Sequence, residues 1–91
     1  MSLKQFELEN CRICGFHYYD FFPWGDDGKT PTYDLCLCCG AEFGFDDETQ
    51  NSIKKYRTQW IKSGKTFVYQ ESCPIMWNPD EQLKLIPEQF R

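Results

Sequence analysis

Apolar and polar positions follow two different rhythms along this chain. In the first half they alternate over short stretches. Phe6, Leu8 and Ile13 lead into one cysteine pair, and Phe16, Tyr18 and Tyr19 lead out of it, which predicts a short strand pair around that point. Tyr33-Asp34-Leu35 leads into a second cysteine pair and Ala41–Phe45 leaves it, predicting another pair of short strands. Between them, residues 21–32 hold Pro23, Gly25, Asp26, Asp27, Gly28 and Pro31, turn chemistry with no helical period. After Asp46-Asp47-Glu48 the rhythm changes. Ile53, Tyr56, Trp60 and Ile61 fall at i, i+3, i+7 and i+8, one stripe of an amphipathic helix. Thr49 or Ser52 is placed to cap it and Gly64 to end it. Phe67-Val68-Tyr69 reads as a late strand. Asn78-Pro79-Asp80-Glu81 then opens a short helix through Leu83 to about Leu85, which Pro87 stops.

The two cysteine pairs share one wording, Cys11-Arg12-Ile13-Cys14-Gly15 and Cys36-Leu37-Cys38-Cys39-Gly40. A C-x-x-C turn points both sulfurs at one ion, and the glycine behind it supplies the backbone angle that closes the turn. Cys11, Cys14, Cys36 and Cys39 together make a full tetrahedral shell for zinc, and a closed shell leaves no position for substrate. Cys38 lies beside Cys39, but only Cys39 completes the spacing from Cys36 and precedes a glycine, so Cys38 is read as a small buried thiol turned from the ion. Iron fits the same four-cysteine geometry in rubredoxin-type electron carriers, the competing reading of this spacing.

A chain of 91 residues is expected to form one domain, with a zinc-ribbon part over 10–48 and a helical and C-terminal part over 49–91 packed on it. A domain this small often needs a staple, and four-ligand zinc contributes roughly 10–16 kcal/mol of apparent binding free energy to folding. The six cysteines would also suit a secreted disulfide scaffold. Their clustering at metal spacing favours metal, and the charged, h-region-free stretch Met1–Asn10 favours a cytoplasmic location. No apolar run approaches the ~20 residues of a membrane span. The formal charge is -4, which four zinc-bound thiolates make about two units more negative. Phosphate binding needs a basic face, and the cluster Lys54, Lys55, Arg57, Lys62 and Lys65 reads as a solvated helix face, so nucleic acid is disfavoured.

The remaining candidates point to no reaction. His17, the single histidine, could replace a thiolate or bond to one, but with four cysteines present it reads as a polar strand residue. Cys73 reads as an unpaired thiol packed in the C-terminal segment. Gly28-Lys29-Thr30 and Gly64-Lys65-Thr66 resemble the end of a phosphate loop but have Pro23 and Gln59 where its first glycine belongs. With one histidine at a knuckle, the chain has no base for nucleophilic catalysis, and no enzyme is expected. Phe21-Phe22-Pro23-Trp24 either folds back as a lid or forms an exposed patch for a partner, and the acidic Asp46-Asp47-Glu48 edge is a second candidate surface, suited to a basic partner.

The run Cys36-Leu37-Cys38-Cys39-Gly40-Ala41-Glu42-Phe43-Gly44-Phe45-Asp46-Asp47 has the first knuckle before it and a helix with Tyr56-Arg57 and Trp60-Ile61 after it. It resembles the bacterial cysteine-rich CPCC family of small proteins, over about Asn10 to Ile86. Leu37 stands where that family usually has proline, a stiffener that is not a ligand. The resemblance implies a cytosolic bacterial protein and carries no catalytic residues. The expected fold is therefore a small metal-stapled α+β chain: a zinc-ribbon or rubredoxin-like knuckle pair, a packed amphipathic helix and a short C-terminal helix. The expected role is a structural zinc-binding, protein-interaction or regulatory module.

Overall fold

The computed structural model describes residues 4–91. Its longest element is the predicted amphipathic helix, α2, over Gln50–Lys62. Thr49 is the cap: its side chain accepts the Ser52 amide. At the other end the Gly64 amide reaches the Ile61 carbonyl and the Lys65 amide the Trp60 carbonyl. This pair of bonds is the Schellman arrangement, and Gly64, at φ +103°, supplies its left-handed residue. Ile53 and Trp60 are buried, Tyr56 is half-buried and Ile61 is exposed, so the inward stripe is narrower than the sequence period implied.

Two further helices flank it in the chain. α1, Gln5–Leu8, lies where alternation had predicted a strand, its first turn closed by Glu7 accepting the Lys4 amide. α3, Pro79–Leu83, begins as predicted, with Asn78 Oδ1 accepting the amides of Asp80 and Glu81. Single 3₁₀ turns form at Gln70–Ser72 and Glu88–Phe90, and the second buries Phe90.

The predicted ribbon strands are the main correction. Among the described residues each shrinks to one antiparallel bridge, Asn10 with His17 and Leu35 with Glu42. Side chains take amides a ladder would use: Glu9 accepts the Asp20 amide at 2.7 Å and Thr32 Oγ1 the Asp34 amide at 3.2 Å. Left-handed backbone at Asp20 and Tyr33 turns the chain away at the same places. Phe67–Tyr69 is not a strand either, although the amides of Val68 and Tyr69 bond to the carbonyls of Cys38 and Leu37. The core joins both halves of the chain: the knuckle cysteines, Ile13, Ala41 and Phe43 pack with Ile53, Trp60, Phe67, Ile86 and Phe90.

Candidate metal centre

Both knuckles have the same backbone. In the first, the Cys11 amide bonds to the Phe16 carbonyl at 2.9 Å and the Gly15 amide to the Cys11 carbonyl at 3.0 Å. In the second, Cys36 bonds to Ala41 at 2.7 Å and Gly40 to Cys36 at 2.9 Å. Gly15 and Gly40 close the turns at φ +84° and +81°, a region that disfavours any side chain. The weak internal repeat seen in the sequence is thus a close repeat of structure.

The turns bring Cys11, Cys14, Cys36 and Cys39 together, with all four sulfurs within 4.8 Å of one another and all four residues buried. The edge Cys11–Cys39 is 3.8 Å and Cys14–Cys36 is 3.7 Å. A zinc ion with Zn–S bonds of about 2.3 Å would hold its four sulfurs about 3.8 Å apart, so the donor set suits a tetrahedral cation in number and type, and these two edges match it in length. These four cysteines could hold a metal ion. Cys38 and His17 lie outside this group. Cys38 is buried with its sulfur accepting Gln82 Nε2–H at 3.3 Å, and His17 Nδ1 meets Asn10 Oδ1 at 2.7 Å. Cys73 is a half-buried free thiol against the core.

Electrostatics inside the group are uneven. Burial lifts Cys14 well above the ordinary thiol range and raises Cys11, while Cys39 is lifted chiefly by its contact with Cys11. At Cys36 burial also pushes upward, but hydrogen bonds from the other three sulfurs and Tyr18 outweigh it and bring the thiol well below its ordinary value. A bound cation deprotonates coordinating thiols outright, so loading such a group releases protons.

Around the sulfurs lies a polar frame that the sequence did not suggest. Arg57 was grouped with the solvated lysines. Lys54 and Lys55 are indeed exposed, but Arg57 is turned inward. Its Nε bonds to the Ile13 carbonyl at 2.7 Å, and Nη2 to Arg12 and Phe90 at 2.8 and 2.6 Å. Gln82 Nε2 reaches the Cys14 carbonyl at 3.1 Å, and Tyr56 Oη the Cys39 carbonyl at 2.9 Å. Arg12 is stacked between Trp24, 3.9 Å from its ring centre, and Phe90 at 4.2 Å, with Nη2 on the Gly28 carbonyl. The only hint in the sequence was that Arg57 shares a helix with buried positions at 53 and 60.

Of the two candidate partner surfaces, one is closed and the other diminished. Pro23 is buried, Phe21, Phe22 and Trp24 are half-buried, and Trp24 Nε1 donates to Asp47 Oδ2 at 2.9 Å, so the loop folds back on the body. Asp47 is fully buried, accepting the Gly44 amide at 2.7 Å as well; burial raises its pKa against these two bonds and Arg12. Glu48 remains exposed and Asp46 half-exposed.

Fold and site together define a class: small cysteine-rich chains, poor in strand, organised around two knuckles whose four sulfurs could hold a metal ion. The chain is 28% identical over 79 residues to the uncharacterised protein YoaQ of Bacillus subtilis, covering 71% of this chain and 67% of that protein. It is 30% identical over 83 residues to the uncharacterised protein YozI of the same organism, covering 75% and 69%. The chain belongs to the family of YozI. No family model matches it. No solved structure gives a significant match. Among the described residues no helix is long and apolar enough to cross a membrane.

Proposed function

We propose that this chain is a single small cytoplasmic domain stapled by a structural zinc ion on Cys11, Cys14, Cys36 and Cys39, and that it serves as a protein-interaction or regulatory module and not as an enzyme. The observation that carries the metal reading is the pair of sulfur–sulfur edges at 3.8 and 3.7 Å, the edge length of a zinc–thiolate tetrahedron. Burial of all four donors under core side chains favours a structural over a catalytic ion, since a catalytic site keeps an open position. The run Cys36–Asp47 supports placing this chain within the CPCC group. The interaction role is supported by Ile75 and Met76, each 94% exposed, an apolar pair with no share in the core. An acidic charge of -4 argues against phosphate backbones as partners.

Elemental analysis of the purified protein tests the metal. One zinc per chain, lost together with the fold in Cys36→Ser, is the expected result. A folded, metal-free protein in which that variant is equally stable refutes the staple. Red colour that bleaches with reductant, with preferential iron uptake in competition with zinc, would instead support the rubredoxin-like electron carrier.

A further inference from the structure

The two knuckles match in backbone but not in what their first sulfur receives. In the first, the amide of Ile13 donates to Cys11 Sγ at 3.4 Å. In the second, the corresponding sulfur, Cys36, receives the hydroxyl of Tyr18 at 3.3 Å. A second bond supports this direction. The Leu37 amide points its proton at Tyr18 Oη at 2.8 Å, so the hydroxyl is already an acceptor on that side. Its single hydrogen is left to go to the sulfur. The chain Leu37 N–H to Tyr18 O–H to Cys36 Sγ is therefore polarised toward the sulfur, and it suits a thiolate better than a thiol.

The ring that carries this hydroxyl is held on several sides. Phe16 packs against it edge-on at 4.9 Å between ring centres, Phe21 lies at 5.2 Å and Phe43 at 6.0 Å. The Tyr18 amide bonds to the Glu9 carbonyl at 2.8 Å, fixing the backbone beneath the ring. Placement of a hydroxyl by three aromatic neighbours and two backbone bonds is more than core packing requires, because a phenylalanine would fill the same volume. Tyr56, by contrast, spends its hydroxyl on a carbonyl of the same knuckle and does not donate to a sulfur.

We propose that Tyr18 is a positioning residue of the metal centre, whose hydroxyl fixes the orientation of the Cys36 sulfur, holding that ligand on the metal against competing chelators, and draws charge from it, shielding it from protons and electrophiles. This rests on the reading of the four cysteines as metal ligands. Removing charge from a thiolate by hydrogen bonding makes it less nucleophilic and less readily protonated, and groups that orient metal ligands in this way typically affect metal affinity 10–100-fold.

The experiment uses cobalt(II) as the probe, in wild type, Tyr18→Phe and Tyr56→Phe. Each variant loses one hydroxyl bonded to the same knuckle, but only Tyr18→Phe loses one bonded to sulfur. All three should bind one cobalt per chain with a four-thiolate spectrum. In Tyr18→Phe the sulfur-to-metal charge-transfer band should move to lower energy, because a more electron-rich sulfur is easier to oxidise. Metal transfer to a chromophoric chelator should also accelerate by about tenfold or more. Tyr56→Phe should leave the band in place. Identical bands and transfer rates in wild type and Tyr18→Phe overturn the proposal while leaving the metal reading intact. An equal shift in both variants overturns it as well, since the effect would then belong to the fold. Failure of the wild type to take up cobalt in a four-thiolate environment removes the metal reading itself.

Discussion

Gly15 and Gly40 occupy the same place in two copies of one turn, and the difference between their surroundings yields a sharp prediction. Both sit at positive φ, +84° and +81°, so alanine at either pays the same backbone penalty of about 1–2 kcal/mol. Their neighbours differ. A Cβ on Gly40 would meet Val68 Cγ2 at 3.2 Å and Tyr56 Oη at 3.4 Å, side-chain atoms that can give by a few tenths of an ångström. A Cβ on Gly15 would lie 2.3 Å from the backbone oxygen of Gln82 and 3.2 Å from the Ile86 amide nitrogen. Backbone cannot rotate aside, so the end of α3 must shift by roughly 0.7 Å or more to restore a tolerable contact.

That shift carries away the Gln82 side chain, whose Nε2 serves both the Cys14 carbonyl and Cys38 Sγ. Leaving buried groups unpaired costs about 1–3 kcal/mol, in addition to overpacking of similar size. Gly40→Ala should therefore lose about 1–2 kcal/mol and Gly15→Ala about 3–8 kcal/mol, beyond the ordinary range of a single substitution. Urea unfolding of the zinc-loaded proteins, compared at unchanged slope, measures both. Equal losses, or a larger one at Gly40, would refute the argument that α3 is pressed directly onto the first knuckle.

Two other substitutions probe the polar frame. Arg57→Lys keeps the charge but can reach only one of the carbonyls of Arg12, Ile13 and Phe90, so thermal melting of the zinc-loaded protein should fall by the equivalent of about 2–4 kcal/mol with zinc stoichiometry unchanged. An unmoved melting point would mean water serves those carbonyls equally well. Trp24→Phe strands Asp47 Oδ2 and should cost about 1–3 kcal/mol, an effect that shrinks when Asp47→Asn is already present; full additivity in that double-mutant cycle would deny the coupling.

The features legible in the sequence are those fixed within a few residues. The C-x-x-C-G wording determines a turn, Thr49 and Asn78 bond to amides two or three positions away, and Gly64 closes a helix end. Cys39 over Cys38 followed from the same local reasoning, since the sulfur that repeats the spacing is the one the turn carries into the group. Reading failed where side chains capture a backbone group that the pattern alone assigns to a strand, and where distant residues meet. Alternation around the knuckles predicted strands, but Thr32, two residues from Asp34, and Glu9, eleven from Asp20, take amides that a ladder needs. Arg57 lies 44 residues from Ile13, and Gln82 lies 68 from Cys14, so neither role leaves a mark in any short window. For Phe21–Trp24 the sequence left both a lid and a patch open, and the loop folds back as the lid; Asp47, which holds it down, looked like a surface acid because turn and acidic residues surround it.

With only bridging pairs in place of a sheet among the described residues, the knuckle turns need partners for backbone groups that a ribbon would pair internally. The second half of the chain supplies them. Arg57 takes the carbonyls of Arg12 and Ile13, Gln82 that of Cys14, and Tyr56 that of Cys39, while the amides of Val68 and Tyr69 take those of Cys38 and Leu37. These bonds converge on the segments that carry the sulfurs, so the geometry of the cysteine group depends on α2, α3 and the 67–69 segment as much as on the knuckles. A metal in that group and the helices around it would then stabilise the same backbone from opposite sides. Loosening either would weaken the other's hold, which makes the ion and the C-terminal half one cooperative unit and not a site with an appendage.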